Sequence, residues 1–247
     1  MDLVQVPVRG DTIPTFVATP AGSGPWPGVV VVHDALGMTP DLEAQAMWLA
    51  EAGFVAAAPD LFHDGGHLRC LFRTMREMTQ PDGGPARRAL LGVRDWLLRR
   101  ADSNGAVGII GFCLGGGFAF ALASGHGFSA SAPNYGAMTE EGWASLAGAC
   151  PIVASYGADD PTLAGDAARL ERVLTELEIT HDVHEYPGVG HGFMNDHGRE
   201  DVGLLFRVLI RLSHTKYDEA ATADARRRIV AFFGEHLRGA QAGETSH

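Results

Sequence analysis

Apolar runs of strand length alternate along this chain with longer stretches whose apolar positions recur at helical spacing. The runs are TFVATP (15–20), GVVVVH (28–33), FVAAAPDLF (54–62), AVGII (106–110), SASAPNYG (129–136), PIVASYG (151–157) and HDVHEYP (181–187). All are short and rich in small, β-branched or aromatic residues, which predicts strands. Between them, DLEAQAMWLAEAG (41–53) reads as a helix closed by Gly53, and ARRALLGVRDWLLRR (86–100) aligns Leu90, Val93, Trp96 and Leu97 on one face. Further helices are expected at GGFAFALAS (116–124), near 166–177 and near 218–237.

Such alternation predicts an α/β fold, with a mostly parallel sheet and helices on both of its faces. GPWPG and TQPDGGPA read as a turn and a loop, and no internal repeat or flexible linker divides the chain. Residues 1–238 are therefore read as one domain without a separate lid domain, and GAQAGETSH (239–247) as a frayed tail.

Charge narrows the partners. The formal net charge is −11, so the average field repels nucleic acid and anionic membranes. No apolar run approaches the roughly 20 residues of a membrane span, and MDLVQVPVRGD lacks the basic start and apolar core of a secretory signal. A cytoplasmic location follows as the expectation, with a small molecule as partner and the oligomeric state left open. Cys70, Cys113 and Cys150 are odd in number, widely spaced and free of any CxxC pair, which suits reduced thiols.

The chemistry gathers where three of the strand runs end. In an open parallel sheet, ligands bind beyond the carboxyl ends of the strands. AVGII runs into Gly111-Phe112-Cys113-Leu114-Gly115, a G-x-C-x-G turn leading to a helix. A nucleophile on such a corner needs small neighbours two residues away, and the following helix turns its amides and positive dipole end toward it. A small packing cysteine in a glycine-rich turn is the competing reading.

SYGADDP ends a later strand with Asp159 and Asp160, either of which could orient a histidine or merely begin a turn. YPGVGHGFMND then offers His191 in a glycine-flanked loop. The order nucleophile, acid, histidine, each just past a strand, is that of the α/β-hydrolase arrangement.

Other residues are read as structural. His63, Asp64 and His67 lie in one loop without a second ligand cluster, so no metal is expected, and the absence of G-x-G-x-x-G and G-K-[ST] argues against a nucleotide. No cofactor is predicted. Phe112, Phe118 and Phe120 are expected in the core, Arg226, Arg227 and Arg228 on a solvated helix face, and Trp143 on a short connection near the cleft.

Taken together, the segments VVVVHDALGMTPDLEAQAMWLAEAGFVAAAPDLF, VGIIGFCLGGGFAFALA, PIVASYGADDP and HDVHEYPGVGHGFMND resemble the dienelactone hydrolase family of α/β-hydrolases. The resemblance implies Cys113 as nucleophile, His191 as general base and acid, and Asp160, three residues after Gly157, as the triad acid. It also implies an oxyanion hole from the amides of Leu114 and Ala35. Family members commonly carry glutamate at the position of Asp34, where it contacts the resting thiol; aspartate is one methylene shorter.

The chain departs from the family again in HGFMN, where Met194 and Asn195 stand near the place of a substrate-binding arginine. Arg69 and Arg73 are the cations left to hold a substrate carboxylate. The implied reaction is hydrolysis of a small ester or lactone through a thioester. A broad-range carboxylesterase or thioesterase is the alternative, and a non-catalytic ligand-binding protein is a third reading.

Overall fold

A computed structural model describes residues 2–77, 84–197 and 216–238; the tail expected at 239–247 lies outside them. The chain opens with a hairpin of β1 (Asp2–Val8) and β2 (Asp11–Ala18). There follow β3 (Trp26–Val32), α1 (Pro40–Glu51), β4 (Val55–Pro59), α2 (His67–Glu77), α3 (Pro85–Leu98), β5 (Ser103–Phe112) and α4 (Leu114–Ala123). The remainder is β6 (Ala130–Asn134), α5 (Glu140–Ala144), β7 (Ile152–Gly157), α6 (Asp166–Glu176), β8 (His181–Tyr186) and α7 (Glu219–Arg238).

One eight-stranded sheet has the order β1-β2-β4-β3-β5-β6-β7-β8. The hairpin joins it antiparallel, and every pairing from β4 to β8 is parallel. β1 was not among the strands read from the sequence. Of its seven residues only Val6 is buried, because an edge strand covers little of its surface, so its apolar period is weak.

The continuous apolar runs are resolved by parity. In β3, Val29 and Val31 enter the core under α1 and α7, whereas Val30 and Val32 enter the core under α2, α3 and α4. The same split places Ala56 and Ala58 of β4, and Ala106 and Ile110 of β5, on the first face, with Ala57, Val107 and Ile109 on the second. Strands buried on both faces have no polar side, which is why these runs do not alternate.

Topology then fixes where a site can form. After β3 the chain crosses to β4 on one side and returns to β5 on the other, while β3 and β5 pair directly through Val32 and Gly111. The connections diverge at this point and leave a crevice beyond the strand ends. The loops carrying Asp34 and Ala35 on one strand, and Cys113 on the next, face that crevice.

Candidate active site

Cys113 is the N-cap of α4 and has φ 54° and ψ −111°, a left-handed conformation that a side-chain-bearing residue adopts only under constraint. The constraint is steric and comes from glycines. A Cβ on Gly111 would stand 1.9 Å from the Gly115 carbonyl oxygen, and one on Gly115 would stand 2.3 Å from the Val32 carbonyl oxygen. The turn therefore closes only with glycine at both places. Hydrogen bonds from Cys113 N to Asn134 O (3.1 Å) and from Gly117 N to Cys113 O (3.2 Å) hold it. The Cys113 side chain makes no capping bond, which leaves the first amides of α4, Leu114 among them, without a cap from that residue.

His191 meets this corner from the far end of the sheet. Its Nδ1 donates to Asp160 Oδ2 at 2.6 Å, and the ring also interacts with the Cys113 side chain. Burial alone would pull the imidazole toward neutrality, but the bonds to Asp160 and Cys113 outweigh it and raise its pKa to about 10.

Asp160 is 1 % exposed and its other oxygen accepts from Thr162 N (2.9 Å) and Thr162 Oγ1 (2.6 Å). Burial opposes its ionisation, yet the bonds from His191 and Thr162 prevail and hold its pKa below the usual carboxylate range. Asp159 is exposed, and the bond that engages it runs from its own amide to Val189 O (2.9 Å). The geometry thus brings Asp160, and not its neighbour, to the histidine.

A second Asp–His pair adjoins the first. Asp34 Oδ1 accepts from Leu36 N at 2.8 Å, and Oδ2 meets His197 Nε2 at 2.6 Å. His197 had no place in the sequence reading; its one signal was position, six residues past His191. His33 was missed as well. Fully buried, it bonds through Nδ1 to Asp34 O (2.7 Å) and accepts at Nε2 from Leu61 N (3.2 Å). Burial keeps this ring neutral, and the two bonds assign its proton to Nδ1. Its effect is to tie the Asp34–Ala35 loop to the end of β4.

Several expectations need correction. Arg73 is not a free cation, because Nη1 and Nη2 bond Asp64 at 2.8 and 2.7 Å. Arg69 is exposed on α2, and His67 begins that helix instead of lying in a loop. Trp143 lies in α5, buried in the core, with the Arg169 guanidinium 4.4 Å from its ring centroid. Arg226 is half-buried over Trp48 and donates to Gln45 Oε1 (3.0 Å), and Arg228 pairs with Asp182, so of the three only Arg227 is exposed. A helix packed against α1 buries more of its circumference than its charge pattern suggests. Phe112, Phe118 and Phe120 are buried as expected. Among the described residues no group of three or more His, Cys, Asp or Glu could hold a metal ion.

This site can be compared with known proteins. A model of the dienelactone hydrolase family matches residues 13–237. The chain belongs to the dienelactone hydrolase family. The carboxymethylenebutenolidase of Rhodococcus opacus is 26% identical over 92% of this chain and 88% of its own. A candidate dienelactone hydrolase from Klebsiella pneumoniae superposes with a TM-score of 0.76 at 23% identity, over 95% of this chain and 98% of that one. A dienelactone-hydrolase-like promiscuous phosphotriesterase from metagenomic libraries gives 0.72 at 21%, covering 96% and 98%. These structures establish the α/β-hydrolase fold, and family membership makes the chain a hydrolase of ester or lactone bonds.

Proposed function

We propose that this dienelactone hydrolase family member cleaves a small carboxylic ester or lactone through a thioester on Cys113. The observation that carries the reading is the Asp160–His191 bond of 2.6 Å, on a ring that interacts with Cys113 at the head of α4. A cysteine beside an imidazolium and a helix N-terminus reacts as the thiolate.

In acylation, the Cys113 sulfur attacks the substrate carbonyl carbon, and the amides of Leu114 and Ala35 receive the developing oxyanion. The C–O bond to the leaving alkoxide then breaks as His191 hands it a proton. In deacylation, neutral His191 takes and keeps a proton from water, hydroxide adds to the thioester, and collapse of the adduct expels the thiolate and frees the carboxylic acid, which gives its proton to solvent. Asp160 holds the imidazole tautomer throughout and stabilises the imidazolium.

Asp34 is assigned a modulating role on the thiol, oriented by His197 in place of the reach a glutamate would have. Of the two arginines considered for a substrate carboxylate, Arg69, exposed on α2, is the one that Asp64 does not engage. The neutralisation of Arg73 by Asp64, together with Asn195 after the histidine, favours the second reading, a broad-range carboxylesterase or thioesterase. We place the enzyme in the cytoplasm, where a reducing medium keeps Cys70, Cys113 and Cys150 as free thiols. Among the described residues no helix is long and apolar enough to cross a membrane.

The test is steady-state hydrolysis of a small activated ester and of a dienelactone by wild type and Cys113→Ala, matched for folding by circular dichroism. Turnover by wild type alone is the expected result, and the preferred compound separates lactonase from general esterase. Equal activity of the two proteins would overturn the thiol mechanism.

A further inference from the structure

The loop behind His191 is held by a buried chain of polar side chains that the reaction above does not use. Tyr135, fully buried and with φ 39°, sets its ring edge-on to His191, with centroids 5.3 Å apart. Its hydroxyl donates to Asn195 Oδ1 at 2.5 Å, and Asn195 Nδ2 donates to Asp41 Oδ2 at 2.6 Å. Asp41, near the start of α1, also accepts from Asp196 N (2.9 Å) and Gln45 Nε2 (3.4 Å). Gln45 Nε2 in turn reaches Met194 O at 2.8 Å.

The direction of every bond in this chain follows from one charge. An ionised carboxylate only accepts, so Asn195 must present its amino group to Asp41 and its carbonyl to Tyr135. The Tyr135 hydroxyl must then point its proton away from the catalytic corner and toward Asn195. Among the described residues no cation lies within ion-pair distance of Asp41; amide donors bond it directly, and the half-buried Arg226 guanidinium acts on it from farther off. Burying such a carboxylate is costly if packing is its only purpose.

We propose that Asp41 is a positioning residue for His191: through Asn195 and Asp196 it clamps the histidine loop and fixes the Tyr135 hydroxyl as a donor to Asn195. This rests on the reading of His191 as the general base. Replacing Asp41 by asparagine forces a conflict. If the new amide keeps its oxygen on Asp196 N–H, its amino group faces that of Asn195. The Asn195 amide must turn over, and the Tyr135 hydroxyl is left opposite a donor, so the contact that holds its ring edge-on to His191 is lost. The titratable groups around that ring are Asp160, Cys113 and Tyr135, with Asp34, Asp41 and the Arg226 guanidinium beyond the tyrosine.

The experiment measures kcat, KM and the pH–rate profile on a small activated ester for Asp41→Asn, Tyr135→Phe and the double variant. The expected result is a fall in kcat of about tenfold for Asp41→Asn with KM within about twofold, since a misplaced base slows chemistry without weakening binding. The limb of the profile that reports His191 should move as well. The double variant should be no slower than the slower single one, because both act through Asn195. A kcat and profile unchanged in Asp41→Asn, with only its thermal midpoint lowered, would overturn the assignment.

Should Asp41→Asn fail to fold, Tyr135→Phe decides. Lower kcat at constant KM supports the clamp, and wild-type kcat overturns it. Turnover that survives in Cys113→Ala would instead overturn the underlying mechanism, so the two failures are distinguishable.

Discussion

The elbow at Cys113 and the loop at His191 meet in one crevice, yet they are built by opposite means. The elbow is a backbone object. Glycines at 111 and 115 permit a contact that any Cβ would block, and its bonds run between main-chain groups of β5, β6 and α4. The histidine loop is a side-chain object. Phe193 O accepts from Thr222 Oγ1 (2.9 Å) on α7, Met194 O from Gln45 on α1, and Asn195 bridges Tyr135, just past β6, and Asp41 of α1. A site can thus take its nucleophile from local geometry and its base from a convergence of distant elements.

The comparison can be broken most severely at the elbow. Gly115→Ala should remove activity altogether and cost more than about 4 kcal/mol of stability, because the obstacle is backbone oxygen that cannot swing aside. Thermal unfolding together with ester turnover would check this; a stable, active Gly115→Ala protein would mean the turn can relax.

Next in size, Asp160→Asn should keep the fold while lowering kcat by about 10³- to 10⁴-fold, with Asp159→Asn within about twofold of wild type. The reverse outcome would reassign the acid.

The pH dependence of stability sharpens the contrast. His191 has a folded pKa raised to about 10 from 6.5, so its contribution is complete below pH 6.5 and disappears as the pH climbs toward 10. Asp160 has a lowered folded value, so its contribution is present above pH 3.8 and is lost as the pH falls through that folded value. Thermal midpoints should therefore be highest between these limits, and His191→Ala should flatten the alkaline slope. Cys113→Ala should flatten it in part, since the sulfur is one of the causes of the shift.

The smallest effect expected is from Thr222→Val, which removes one of the two bonds to Phe193 O and leaves the bond from Asp218 N (3.0 Å). A loss of about 1 kcal/mol in chemical denaturation, with kcat reduced less than about threefold, would show that the loop's supports share the load.

Much of this was legible in one dimension. Strands buried on both faces announce themselves as short apolar runs, and G-x-C-x-G at the end of one of them marks a sharp turn whatever the rest of the chain does. An aspartate at 159 or 160 and His191 were legible as partners because each follows a strand, and parallel strands place such ends side by side; the choice of Asp160 came only from the family resemblance. β1 was missed because an edge strand has too little buried surface to carry a period. The solvated role expected of Arg226 failed because charge on a helix says nothing of a tryptophan waiting on the next one.

What the sequence by itself determined is the alternation of elements and the strained corner at Cys113, since both depend on residues within a few positions of one another. What only the tertiary structure decided is which groups orient the reactive ones: His197 beside Asp34, His33 under the Ala35 loop, and Asp41 behind Asn195. Asp34 and His197 are 163 residues apart, and Asp41 and Asn195 are 154 apart. Such pairings arise when the sheet brings α1 and the loop after β8 to one edge of the crevice, and hydrogen bonds between side chains leave no periodic trace along the chain.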